Sequence, residues 1–236
     1  MLFPFFDPLY LAFMLPPFIF MIYAQMKVNS TFKKYSKIPN SGHITGAAAA
    51  LSLLRANGLN NVKIEGVKSR LGDHYDPSKK VLRLSPEVAN TASVAALGIV
   101  AHEIGHAVQD KTRYAFMRLR SSLVPVANLG STLGWIFLIL GLILYGFGMA
   151  FGGVVFSMGI ILFSLAVLFS LVTLPVEFNA SNRARQMLLS TGMVTTQEYR
   201  GASAVLSAAA LTYVAAMLQA LAQLLYFITM FLGMRR

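Results

Sequence analysis

The chain has 236 residues, of which 56% are apolar and 12% charged, with no cysteine and a formal net charge of +11. Soluble domains carry about a quarter charged residues, so this composition belongs to a membrane protein, and the missing cysteine excludes disulfides, thiolate metal sites and cysteine nucleophiles. The excess of Lys and Arg reads as basic loops retained on the cytoplasmic side, and nucleic acid is not an expected partner.

The start, Met1-Leu2-Phe3-Pro4, lacks a basic leader and is followed by no small-residue cleavage site, so residues 1–26 are expected to be a retained transmembrane anchor. Its apolar run covers about Leu9 to Met26, with a kink expected at Pro16-Pro17. Residues 27–122 read as a small α+β lobe. Thr45 can cap a helix that ends at Asn57 with Gly58 just beyond it. The alternation in Val62–Val67 predicts a strand, and His74-Tyr75 with Lys80–Leu84 predicts a hairpin across Asp76-Pro77-Ser78-Lys79. Ser85-Pro86-Glu87 marks a helix start, and a helix is expected from Ser93 to about Asp110.

Two apolar runs follow, about Leu123–Met149 and Val154–Leu174, long enough to cross a bilayer, which takes about 20 residues. They form a hairpin over residues 123–175, joined at Gly146–Gly153 and ended by Pro175. Residues 176–205 predict a helix and its connection, with Thr195 and Glu198 as a capping box for the last helix. Residues 206–236 hold a final span, about Leu206–Leu232, with a polar stripe at Gln219 and Gln223. Fifteen of the 20 basic residues lie between Lys27 and Arg120, and Arg183, Arg185 and Arg200 lie between the third and fourth spans. Both segments are therefore expected inside, with the N-terminus and the Gly146 turn outside; Arg235-Arg236 then falls outside, against the rule. The expected fold is a mainly α membrane protein of about four transmembrane helices, with a small α+β zincin-like cytoplasmic lobe.

The chemistry centres on His102-Glu103-Ile104-Gly105-His106. Residues four apart share one helical face, so both imidazoles can meet one ion. Glu103 lies one step round the helix, placed to take a proton from a metal-activated water as general base. Gly105 suits close approach of another element. A catalytic zinc needs a third protein ligand and an open position. The extended metzincin pattern is excluded, since Gln109 and Thr112 occupy its glycine and histidine places. Asp110 is a poor ligand, because three successive turns of one straight helix cannot surround an ion. Glu177 is the better choice, since it follows Pro175 where the chain returns to the side that holds the histidines. Ser181 and Asn179 are candidates to support a ligand imidazole. His74, Tyr75, Arg183 and Arg185 are weaker candidates for stabilising an oxyanion.

Three blocks carry a family resemblance: Asp73–Pro77 with Val81–Val88, Ser93–Leu97 with His102–Gln109, and Leu174–Ser181. Together they resemble the YugP-type neutral zinc metallopeptidases of bacterial membranes over nearly the whole chain. The resemblance implies a zinc-dependent membrane peptidase with His102 and His106 as ligands and Glu103 as base. Glu177-Phe178-Asn179-Ala180-Ser181 is also similar to the Glu-x-x-Ala-Asp motif of HtpX and the CAAX prenyl proteases, which carries Glu177 over as third ligand. Ser181 stands where that motif has Asp, and here one span rather than more precedes the zinc helix.

The reading is a zinc-dependent endopeptidase of the bacterial cytoplasmic membrane, cutting protein or peptide substrates at the inner surface. Two alternatives stay open: a site-2-type protease with its motif inside the bilayer, and a non-catalytic scaffold whose zinc is closed by a fourth ligand, with His74 the obvious donor.

Overall fold

A computed structural model describes residues 7–69 and 72–234. The helices are α1 (Pro8–Tyr35), α2 (Gly46–Ala56), α3 (Pro86–Ala89), α4 (Val94–Lys111), α5 (Ala115–Gly146), α6 (Gly152–Ser190) and α7 (Thr196–Met234), and the strands are β1 (Lys63–Gly66), β2 (His74–Asp76) and β3 (Val81–Leu84). Four helices, α1, α5, α6 and α7, are long and apolar enough to cross a membrane. The fold is that of a mainly α membrane protein with a small α+β lobe. Met1–Pro4 and Arg235-Arg236, which entered the expected topology, lie outside the described residues.

The long helices exceed the expected spans. No break separates the third apolar run from the segment that carries Glu177, because α6 continues through Pro175 to Ser190. A proline inside a helix removes one backbone hydrogen bond. In the turns before it, Ser170 Oγ donates to Ala166 O and Thr173 Oγ1 to Phe169 O. Likewise α1 contains both Pro16 and Pro17, α5 begins at Ala115 rather than Leu123, and α7 begins directly after the Thr195 cap.

The chain forms two compact units. The first takes residues 7–23, 119–174 and 213–234. Its core is aromatic: Phe156, Phe163, Tyr226 and Phe227 are buried with Leu138 and Val167, and Trp135 meets Phe163 and Phe227 edge to face. Helices α5 and α6 approach through glycine, since a Cβ on Gly141 would stand 2.4 Å from Phe156 N. Small residues permit such contact where lipid supplies no hydrophobic drive between helices.

The second unit takes residues 24–69, 72–118 and 175–212. Two local signals act as read: Thr45 accepts from Ala48 N at the head of α2 and Gly58 adopts φ +62° beyond its end; in addition Ser93 caps α4, accepting from Ala96 N. Ser85 differs. It precedes α3 but makes no capping bond; its N–H and Oγ donate instead to the Asp73 carboxylate at 2.7 and 3.0 Å. The sheet order is β1-β3-β2, with β1 parallel and β2 antiparallel to the central β3. Helix α4 packs on β2, β3, α2 and α3. Leu53, Leu82, Leu84, Leu97, Val100 and Ile104 fill the core beneath it.

Candidate metal centre

The histidine pair arises from plain helical geometry. α4 runs without interruption from Val94 to Lys111, so His102 and His106 project from successive turns of one face, with ring centroids 4.8 Å apart. The partner face is the part of α6 that follows Pro175. A Cβ on Gly105 would lie 2.6 Å from Ala180 O. That close approach brings Glu177 onto the two rings: its Oε2 is 3.3 Å from His102 Nε2 and 3.5 Å from His106 Nε2. One ligand atom from each of His102, His106 and Glu177 lies within 4.8 Å of the others, and this is the single such group of three among the described residues. Side-chain exposure is 13% for His102, 10% for His106 and 2% for Glu177.

The outer nitrogens of both rings are engaged. His106 Nδ1 is 3.0 Å from Gln109 Oε1, and the Gln109 amide donates to Val176 O at 2.7 Å and to Asn179 Oδ1 at 3.0 Å. Because the Gln109 nitrogen is spent on those carbonyl oxygens, its Oε1 must accept. A neutral His106 therefore carries its proton on Nδ1 and turns an Nε2 lone pair towards Glu177. His102 Nδ1 is 3.2 Å from Ser181 Oγ, an arrangement that favours the same tautomer. Imidazoles anchored in this way by an outer partner are what metal ligation requires. Two Nε2 atoms and a carboxylate oxygen, with no thiolate, form a donor set that suits zinc and leaves a position open.

Glu103 is half-buried beside this group and accepts from Tyr75 N–H at 3.0 Å. Burial pushes its carboxyl above the ordinary range, while His102 and His106 pull it back. Burial alone would lower His106; its hydrogen bond to Glu177 and the nearby Glu103 charge outweigh that and hold the imidazole above its usual value. Asp110 belongs to a different cluster. It accepts from the Tyr75 phenol at 2.7 Å and pairs with Lys80. Burial, followed by Asp110, raises the phenol's pKa. Asp76 is held well below the usual carboxylate range by hydrogen bonds from Ser78 Oγ and Lys79 N–H.

Ser181 sits on His102 as the sequence suggests, whereas Asn179 accepts from Gln109 and Arg183 and not from an imidazole. The four oxyanion candidates all have other partners. His74 binds Gly72 O and Arg83, and is absent from the three-residue group. The Tyr75 phenol binds Asp110, Arg183 donates to Asn179 Oδ1, and Arg185 donates to Asn182 and Ser207. Sequence reasoning used Gln109 only to exclude a protease class. Its place three residues after His106, on the same face, is the signal that could have found it. The part played by the Tyr75 backbone had no signal in the side-chain pattern.

Residues 10–232 match the family described as "Putative neutral zinc metallopeptidase". The chain belongs to that family. It is also 43% identical over 213 residues to a Bacillus subtilis protein described as "Putative membrane protease YugP", covering 90% of this chain and 92% of that one. No solved structure matches it. The family's description names zinc, and His102, His106 and Glu177 form a group that could hold a metal ion.

Proposed function

We propose that the chain is a zinc-dependent, membrane-bound endopeptidase in which His102, His106 and Glu177 hold the ion and Glu103 is the general base. The carrying observation is the convergence of Glu177 on both Nε2 atoms, with Glu103 one helical step aside. Bound zinc supplies Lewis acidity that polarises a scissile carbonyl and lowers the pKa of water towards about 7. Glu103, half-buried beside the proposed ligands, is placed to act as general base. It would take the proton from the attacking water and pass it to the departing amine. Gln109 and Ser181 would hold the rings in the ligating tautomer.

The distribution of Lys and Arg supports a cytoplasmic position for the lobe, and hence cleavage of protein or peptide substrates at the inner membrane surface. Two observations weigh against the alternatives. The motif helix α4 is not among the four helices of membrane-crossing length and apolarity, which disfavours a site-2-type arrangement. His74 is turned to Gly72 O and Arg83, so a fourth protein ligand closing a scaffold-type site is not found among the described residues.

The test is Glu103→Gln in the purified, zinc-loaded chain. It should retain zinc and lose cleavage of labelled casein by about 10²–10⁴-fold, the usual contribution of a general base. Unchanged turnover would remove Glu103 from the mechanism.

A further inference from the structure

Tyr75 touches α4 at two carboxylates. Its backbone N–H donates to Glu103 Oε2 at 3.0 Å, and its phenol donates to Asp110 Oδ2 at 2.7 Å. Glu103 and Asp110 stand seven residues apart on α4, two turns along one face. Tyr75 lies on the edge strand β2, opposite Leu82 of β3. Its N–H points out of the sheet to the helix instead of into the ladder. The ring is 8% exposed and belongs to the same core as Leu82 and Ile104.

The strand that presents this N–H is fixed on both sides. Before it, the Asp73 carboxylate takes both hydrogen bonds from Ser85. After it, Asp76 Oδ1 accepts from Ser78 N, Ser78 Oγ and Lys79 N, while Asp76 Oδ2 accepts from Arg83. Arg83 also holds His74 Nε2 and Glu65. The Asp110 end is fixed by Lys80 from the far side of the same turn. The proposed hydrolytic chemistry uses none of these polar groups.

We propose that Tyr75 is the positioning residue for Glu103: the Tyr75–Asp110–Lys80 cluster locks β2 in register with α4, so that the Tyr75 amide holds the Glu103 carboxylate in one place. The inference rests on the reading of Glu103 as base. A base acts only within a few tenths of an ångström of its working position, and a free glutamate side chain loses rotamer freedom to get there. The Tyr75 N–H fixes one carboxylate oxygen before substrate arrives. The phenol, clamped two turns away, keeps that N–H from sliding along the helix. Removing the hydroxyl leaves the ring packed and the metal ligands untouched, but releases the amide from its register.

The experiment uses the full chain, zinc-loaded in detergent, with labelled casein as substrate. Tyr75→Phe and Asp110→Asn are compared with wild type for zinc content, kcat, KM and hydrogen exchange at the residue-75 amide, and Lys80→Gln serves as a milder variant. Both main variants should keep their zinc and hold KM within about twofold, with kcat falling about tenfold or more, as small misplacement of a catalytic group does. Exchange at the residue-75 amide should quicken about tenfold in both, and likewise in Glu103→Ala, which removes its acceptor. Unchanged exchange in Tyr75→Phe and Asp110→Asn would overturn the clamp whether or not casein is cut. Wild-type kcat in these variants, with Glu103→Gln inactive, would also overturn it. Full turnover in Glu103→Gln would instead overturn the base assignment, leaving the exchange result to judge the clamp alone.

Discussion

Gly105 and Ala180 meet main chain to main chain: a Cβ added to the glycine would stand 2.6 Å from the Ala180 carbonyl oxygen and 3.1 Å from its carbon. The contact lies between the two histidines along α4 and between Glu177 and Ser181 along α6. It sets the distance across which the proposed ligands meet.

Gly105→Ala should therefore damage the site out of proportion to its size. Backbone cannot swing aside as a side chain can, so the helices must part, at a cost of about 1–3 kcal/mol for overpacking. The expected result is a lower melting temperature together with faster zinc loss to a chelator. Gly153→Ala is the control, since nothing lies within 4 Å of its added Cβ. Equal zinc retention in the two variants would show that this contact does not govern the ligand spacing.

Gln109→Ala removes the acceptor for His106 Nδ1 and also leaves Val176 O without its side-chain donor. Loss of such an outer partner costs about 10–100-fold in metal affinity. Competition with a chromogenic chelator should find zinc weakened within that range, and Ser181→Ala weakened in the same direction through His102. Wild-type affinity in Gln109→Ala would mean that His106 needs no orienting partner.

Zinc binding should release protons. Without the ion, the hydrogen bond that His106 donates to the Glu177 carboxylate and the charge of Glu103 keep His106 above its ordinary value despite burial. The metal-free pairing is thus favoured at low pH and fades as pH rises through the raised value, whereas ligation requires the neutral ring. Affinity should climb with pH through the imidazole range, by about tenfold per pH unit for each proton displaced. Calorimetry in two buffers of different ionisation enthalpy, near pH 6, the lower edge of the usual imidazole range of about 6–7, measures the release directly; none at all would contradict the protonated pairing.

Glu198 closes more than its own helix. Its carboxylate accepts from Thr195 N at 2.7 Å in the expected capping box, and it also takes the Ser41 N–H and, at 3.1 Å, the Ser41 hydroxyl. Glu198→Ala should lower stability by about 1 kcal/mol, as the loss of a cap does, and should speed amide exchange around Ser41 as well as Thr195. Exchange quickened at Thr195 alone would show that the Ser41 contact contributes nothing.

What could be read in advance was what depends on local period. The spacing of His102, Glu103 and His106 is a helical property, and so are the caps at Thr45 and Thr195. Glu177 was reachable because a hairpin of apolar runs returns the chain to the side it left. Pro175 misled for a physical reason: proline ends helices in water, but an apolar helix with no solvent to take up its carbonyls continues through it. The parallel pairing of β1 with β3 was hidden, because three- and four-residue strands carry too little alternation to specify partners. The Tyr75 contact to Glu103 was hidden more deeply. It is made by an amide that every residue except proline possesses, and only its place on an edge strand turns it towards the helix.

Glu177 is 75 residues from His102, with the whole of α5 and the first part of α6 lying between them in the chain. A ribosome making this chain completes the histidine pair and the neighbouring Glu103 long before the Glu177 carboxylate emerges. Until the hairpin has been synthesised, the nascent polypeptide has only two of the three proposed donors. Under the proposed mechanism the chain stays inactive until most of its apolar sequence has left the ribosome.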